Sequence, residues 1–272
     1  MKVYISVDIE GVAGVTAWPE TNKGQDDYAQ AARLMTAEAL AAVQGVTDAG
    51  AREVYVKDAH DTARNMDPAA FPREVQLVRG WTRDPLQMIG GIDDSFDAVL
   101  FVGYHAAAGN VGNPLAHTMT SERARGARLN GRPLSEFYLH ALAAEAIYGV
   151  PSVFVSGDAA LCEEASGQVA GIVTVPVKHA LGAATVSIAP ELARERIRAG
   201  VADGLQRVLD DRASCHPAIP ESFELCITRC EHASARQLSY YPGAELLDDG
   251  YTVRFVTGDA FEMVRAMLFI GS

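Results

Sequence analysis

Short apolar runs alternate along this chain with longer stretches of helical period. Residues 3–7 are β-branched and aromatic and predict a buried strand. After a loop, residues 26–46 predict a helix, because Tyr28, Ala32, Met35, Ala39, Val43 and Val46 recur at spacings of three and four and Gly50 offers a stop. The alternation continues with strands at 53–57, 75–78 and 97–102, an Ala-rich helix at 136–148 ended by Gly149, and a strand at 152–155. A strand at 173–177 precedes a helix opened by Pro190 and carrying Leu192, Ile197, Val201, Leu205 and Val208. Strands near 223–228 and 251–256 and a terminal helix complete the chain. The expected fold class is α/β: a central, largely parallel sheet flanked by helices, with loop and strand insertions. The Gly- and Pro-containing stretch 110–132 lies between elements that share this sheet. One domain over 1–272 is therefore preferred to two, with the part from about 185 as a possible subdomain.

Composition narrows the partners more than the fold. With 35 Asp and Glu against 23 Lys and Arg, the formal charge of -12 opposes a phosphate backbone, so nucleic acid is not an expected partner. The longest apolar stretches, 98–102 and 150–155, fall far short of the roughly 20 residues a bilayer demands, so no membrane helix is expected. No secretory leader is visible at the start, where Asp8 and Glu10 already stand, and a cytoplasmic location is expected. Cys162, Cys215, Cys226 and Cys230 form no CxxC pair and read as reduced thiols.

Candidate chemistry collects at strand ends. Asp8 and Glu10 follow the first strand at i and i+2, on one face, and Gly11 lets the chain turn at once. Two carboxylates that close need a cation or a proton. His60 follows the second strand and His105 the strand at 97–102, so all four residues stand past carboxyl ends, where open α/β sheets bind ligands. Glu136 opens the Ala-rich helix behind Ser135, a fair N-cap, and the helix dipole favours its ionised form. Three carboxylates and two imidazoles suffice for a two-metal centre of zinc or a related divalent ion with one bridging carboxylate. Taken singly, an acidic pair at a strand end is ordinarily a solvated loop, and a histidine after a strand is ordinarily a core or surface residue. Their shared position is what points to a site.

His117, in the loop 116–119, is a candidate general acid or base. His140 shares a helix face with Glu136, and Lys178, after the strand at 173–177, is a weaker candidate for a substrate carboxylate or an oxyanion. Arg64, Arg123, Arg125 and Arg128 lie in nearby loops. Phosphate loops, HExxH helices and GxSxG elbows are absent from the sequence.

The segments 6–11 (SVDIEG), 58–60 (DAH), 103–105 (GYH), 116–119 (AHTM) and 130–136 (NGRPLSE) together resemble the DppA-type D-aminopeptidases, in order and over nearly the whole chain. The resemblance implies two zinc ions per subunit, bridged by Asp8 and completed by Glu10, His60, His105 and Glu136, with His117 as the catalytic histidine. It also implies a short peptide substrate with an N-terminal D-residue such as D-alanine, and a homodecamer of two stacked pentameric rings. Ser135 stands where the family more usually has glycine, and the loop from His105 to His117 differs in length; both lie where substrate is selected. The readings left open are an L-residue preference, a dimetal hydrolase of another amide or a phosphoester, and a peptide-binding module whose histidines are structural.

Overall fold

The computed structural model describes residues 1–211 and 213–271. In chain order its elements are β1 (Lys2–Val7), α1 (Trp18–Thr21), α2 (Tyr28–Asp48), β2 (Glu53–Asp58), β3 (Val75–Val78), β4 (Ala98–Tyr104), β5 (Ala124–Leu129), β6 (Arg132–Pro133), α3 (Glu136–Tyr148) and β7 (Ser152–Asp158). Next come α4 (Ala159–Gln168), β8 (Val173–Leu181), β9 (Ala184–Ser187), α5 (Pro190–Asp210), β10 (Phe223–Arg229), α6 (His232–Leu238), β11 (Ala244–Leu246), β12 (Thr252–Thr257) and α7 (Ala260–Ala266).

Seven strands form the main sheet in the order β3-β2-β1-β4-β7-β8-β9, all parallel except the last pair. The order proceeds outward from β1 in one direction and from β4 in the other, so the topological switch point lies between these two neighbours. The expected α/β class with a largely parallel sheet is what the chain adopts.

Helices cover both faces because the strands are apolar on both. On one face, Val3, Ile5, Val7, Leu100 and Val102 pack with the apolar stripes of α2 (Met35, Ala39, Val43) and α5 (Ile197, Val201, Leu205). On the other, Tyr4, Val99, Phe101 and Val155 pack with α3. That helix buries residues around its whole circumference, because a second sheet lies in the same core. The second sheet is antiparallel, in the order β11-β12-β10-β5-β6, and pairs strands from the 110–132 stretch with strands from the last 50 residues of the chain. Sequence patterning shows neither this separate sheet nor the helix α4. Among the described residues no helix is long and apolar enough to cross a membrane.

Candidate metal centre

The carboxyl ends of β1, β4 and β7 are drawn together at the switch point by close backbone approach. Gly11 N donates to Gly103 O at 2.8 Å, and a Cβ on Gly11 would lie 1.7 Å from the Tyr104 carbonyl oxygen. Gly103 is left-handed (φ +71°), and a Cβ there would lie 2.4 Å from the Asp8 carbonyl oxygen, so neither position admits a side chain. This contact holds the end of β1, with Asp8 and Glu10, against the end of β4, with His105.

Around that seam the predicted residues form two groups of ligand atoms, each within 4.8 Å of one another: Asp8, Glu10 and His60, and His105, His117 and Glu136. Asp8 faces both. His60 Nδ1 lies 3.4 Å from Asp8 Oδ1 and 3.1 Å from Glu10 Oε2. His105 Nε2 lies 3.5 Å from Asp8 Oδ2 and 3.5 Å from Glu136 Oε2. His117 Nε2 is 3.6 Å from Glu136 Oε1, and its ring stacks on that of His105 at 4.3 Å.

Each histidine is oriented through its other nitrogen. His60 Nε2 bonds the Thr21 carbonyl at 2.8 Å, His105 Nδ1 the Ala106 carbonyl at 3.0 Å and His117 Nδ1 the Leu115 carbonyl at 2.9 Å. A ring nitrogen donating to a carbonyl leaves the other with a lone pair for a cation. Glu136 is fixed in the same way: Ser135 caps α3, and Met119 N donates to Glu136 Oε1 at 2.6 Å.

These five buried groups bear on one another's protonation. Burial, with Glu10 alongside, pushes Asp8 up to about 8. Burial also opposes charge on Glu10 and Glu136, but facing imidazoles prevail: His60 holds Glu10 well below the usual carboxylate range, and His105 brings Glu136 down to about 2. Burial alone would lower the two histidines. Glu10 and Asp8 instead hold His60 well above its ordinary value, and Glu136 and Asp8 lift His105 to about 10. Protons here compensate clustered negative charge, a role a divalent cation can take over. The polar atoms fit that role: among the described residues, Asp8 Oδ2, Glu10 Oε2 and His105 Nε2 are buried with no hydrogen-bond partner. Three orphaned ligand-type atoms converging from different elements suit zinc.

The cluster opens into a cavity of about 600 Å³ whose wall includes Trp18, Trp81, Gln87, Met119 and Arg123. Of the four arginines noted in the sequence, Arg123 alone lines it among the described residues, while Arg125 lies over the Tyr251 ring at 4.8 Å. One other expectation changes, and the place of His140 becomes clear. Lys178 lies within β8 rather than after it and does not line the cavity; its buried ammonium donates to the carbonyls of Glu10 and Val15 at 2.5 Å each, and burial brings it down to about 8. It positions the loop that carries Glu10. His140 joins neither ligand group: its Nδ1 bonds the Glu136 carbonyl at 2.7 Å, and burial lowers it to about 4, so it is a neutral part of the helix packing.

Sequence reasoning missed the residues that brace these loops. Asp58 accepts from Asn65 N, Asn65 Nδ2 and Met66 N, closing the turn that carries His60. Asp158 accepts from Ala106 N at 2.8 Å and Asn113 Nδ2 at 3.1 Å, and Asn113 Nδ2 also donates to the Glu10 carbonyl. Asp58 carried a faint signal, two residues before His60. Asn113 and Asp158 carried none, since their partners lie 45 to 103 residues away along the chain.

Comparison with known proteins agrees with this geometry. A family model described as D-aminopeptidase, peptidase family M55, matches residues 1–269. A curated D-aminopeptidase of Bacillus subtilis (strain 168) is 30% identical over 269 residues, covering 98% of this chain and 96% of that protein. A solved structure described as the Zn-dependent D-aminopeptidase DppA from Bacillus subtilis, a self-compartmentalizing protease, superposes with a TM-score of 0.90 at 30% identity, covering 100% of this chain and 97% of that one. With its strand-end carboxylates and histidines on the same scaffold, the chain belongs to the D-aminopeptidase family of metallopeptidases.

Proposed function

We propose that this protein is a two-zinc aminopeptidase that removes the N-terminal D-residue from short peptides. Asp8 would be shared between the two ions, Glu10 and His60 would hold one of them, His105 and Glu136 would hold the other, and His117 would serve the reaction. The carrying observation is the division of the Asp8 carboxylate, with one oxygen toward His60 and the other toward His105. The zinc dependence of the Bacillus subtilis structure supports the choice of metal, and its description as a D-aminopeptidase supports the stereochemistry. Bound there, zinc supplies Lewis acidity toward the scissile carbonyl and a water acidified to near neutrality.

The chain's own residues account for the rest. His117 holds Nδ1 against the Leu115 carbonyl and keeps Nε2 at the cavity wall, with Trp18 packed edge-on against the ring at 5.4 Å. From there Nε2 takes the proton released by the attacking water, donates it as a hydrogen bond toward the developing oxyanion, and passes it to the leaving amine as the carbon–nitrogen bond breaks. A cavity of about 600 Å³ holds a few residues rather than a folded chain, which suits short peptides.

The self-compartmentalizing character of the Bacillus subtilis relative supports assembly into a homo-oligomer, which we take to be a homodecamer. The four cysteines are free, which suits a reducing cytoplasm. The deciding experiment measures amino acid release from matched D- and L-alanyl dipeptides and tripeptides by zinc-loaded and chelator-treated protein. Chelator-sensitive release from the D-peptides is expected. Equal release with and without metal, or release from the L-series alone, would overturn the reading.

A further inference from the structure

Asn113 lies in the loop between β4 and β5, which carries His105 at its start and His117 further along. It is 3% exposed, and its side-chain amide meets three separate segments. Nδ2 donates to the Glu10 carbonyl and to Asp158 Oδ2, each at 3.1 Å, and Oδ1 accepts from Leu115 N at 2.9 Å. The Leu115 carbonyl in turn bonds His117 Nδ1 at 2.9 Å. One buried amide therefore stands between the ends of β1 and β7 and the residue that tethers His117.

The partners fix which way the amide points. Turned over, it would set Nδ2 against the Leu115 N–H and Oδ1 against two oxygens, so neither arm would be satisfied. They also show which segment depends on it most. The Glu10 carbonyl accepts from Lys178 Nζ as well, and Asp158 Oδ2 accepts from Ala106 N at 2.8 Å. Among the described residues, Leu115 N has Asn113 Oδ1 as its sole acceptor. Beyond His117 the loop is held separately, by Thr118 Oγ1 donating to the Leu134 carbonyl at 2.7 Å. Losing the Asn113 side chain would therefore loosen the His117 tether while leaving the rest of the loop and the Glu10 backbone held.

We propose that Asn113 is a positioning residue for His117, tying the Leu115 backbone to the ends of β1 and β7 and so holding the imidazole in register with the ligand cluster. That register is visible in the stacking of His117 on His105 at 4.3 Å and in the 3.6 Å from His117 Nε2 to Glu136 Oε1. The assignment rests on the aminopeptidase reading, in which His117 carries a proton from the attacking water to the leaving amine. A group with that task is sensitive to small shifts: a misplacement of about 1 Å can cost about 10²-fold in rate.

Two substitutions test it. Asn113→Ala removes both arms of the amide; Asn113→Asp keeps the size and the acceptor and removes the donor. Both should fold and keep the wild-type zinc content, because Lys178 still holds the Glu10 carbonyl. Each should lower kcat for D-alanyl-D-alanine about 10- to 100-fold, with KM changed by less than about 3-fold. In a His117→Ala background the same substitutions should lower kcat by less than about 3-fold more, since the group they position is gone. Wild-type kcat in both single variants would overturn the assignment. Equal losses with and without His117 would do the same, as would loss of zinc or of the fold in both. A wild-type protein that releases no amino acid from any peptide would refute the aminopeptidase reading instead, and wild-type turnover in His117→Ala would refute the part given to His117. Both of those results are visible before any Asn113 variant is made.

Discussion

The two ligand groups on either side of Asp8 are built differently. Asp8, Glu10 and His60 are all buried, and His60 lies within 3.4 Å of both carboxylates. Their supports are also closed: Lys178 and Asn113 hold the Glu10 backbone, and Asp58 holds the His60 turn. His105, Glu136 and His117 are spaced at 3.5 to 3.6 Å, and the His117 side chain is 13% exposed on the cavity side. Structural zinc sites are closed and catalytic ones keep a position open. The first group is therefore the more closely braced, while His117, the most exposed of the six side chains, is the one most open to the cavity.

The largest effect should come from cutting the residue the groups share. Asp8→Ala should leave the protein without either zinc ion and without activity, read by metal analysis and amino acid release. Retention of one tightly held ion per chain would show that the two groups are independent and that Asp8 does not bridge.

Next in size is a change confined to the open side. His117→Ala should lower turnover about 10²- to 10⁴-fold while both zinc ions stay bound. Loss of one ion in this variant would move His117 from proton transfer into the ligand set, an assignment its place beside His105 and Glu136 makes worth testing.

A smaller effect should appear in proton balance. In the metal-free protein His105 is raised to about 10 and Asp8 to about 8, so at pH 7 both hold protons that zinc must displace. Zinc uptake should release protons, and zinc affinity should weaken as pH falls. Calorimetric titration in buffers of different ionisation enthalpy measures the number released; a value near zero would contradict the protonated cluster.

Much of this centre was legible along the chain. Asp8 and Glu10 share a face because side chains alternate on a strand, and His60 and His105 follow the two parallel strands that flank β1, whose carboxyl ends border one crevice. Glu136 was legible from its cap. The antiparallel sheet was not: β5 reads ARGARL, where alanine and glycine mask the alternation, and it pairs with β10 about 100 residues later. Lys178 was misplaced because β8 continues past it, paired with β9, so the side chain lies in the sheet rather than in a loop.

Local chemistry by itself determined the α/β class, the donor types and their strand-end positions, because periodicity and turn residues act over a few neighbours. Tertiary structure alone decided that the five groups meet around one carboxylate and that Lys178 supports a backbone instead of meeting substrate. Each of these depends on the distance between segments far apart in sequence, and that distance is set by sheet order and close backbone packing at Gly11 and Gly103.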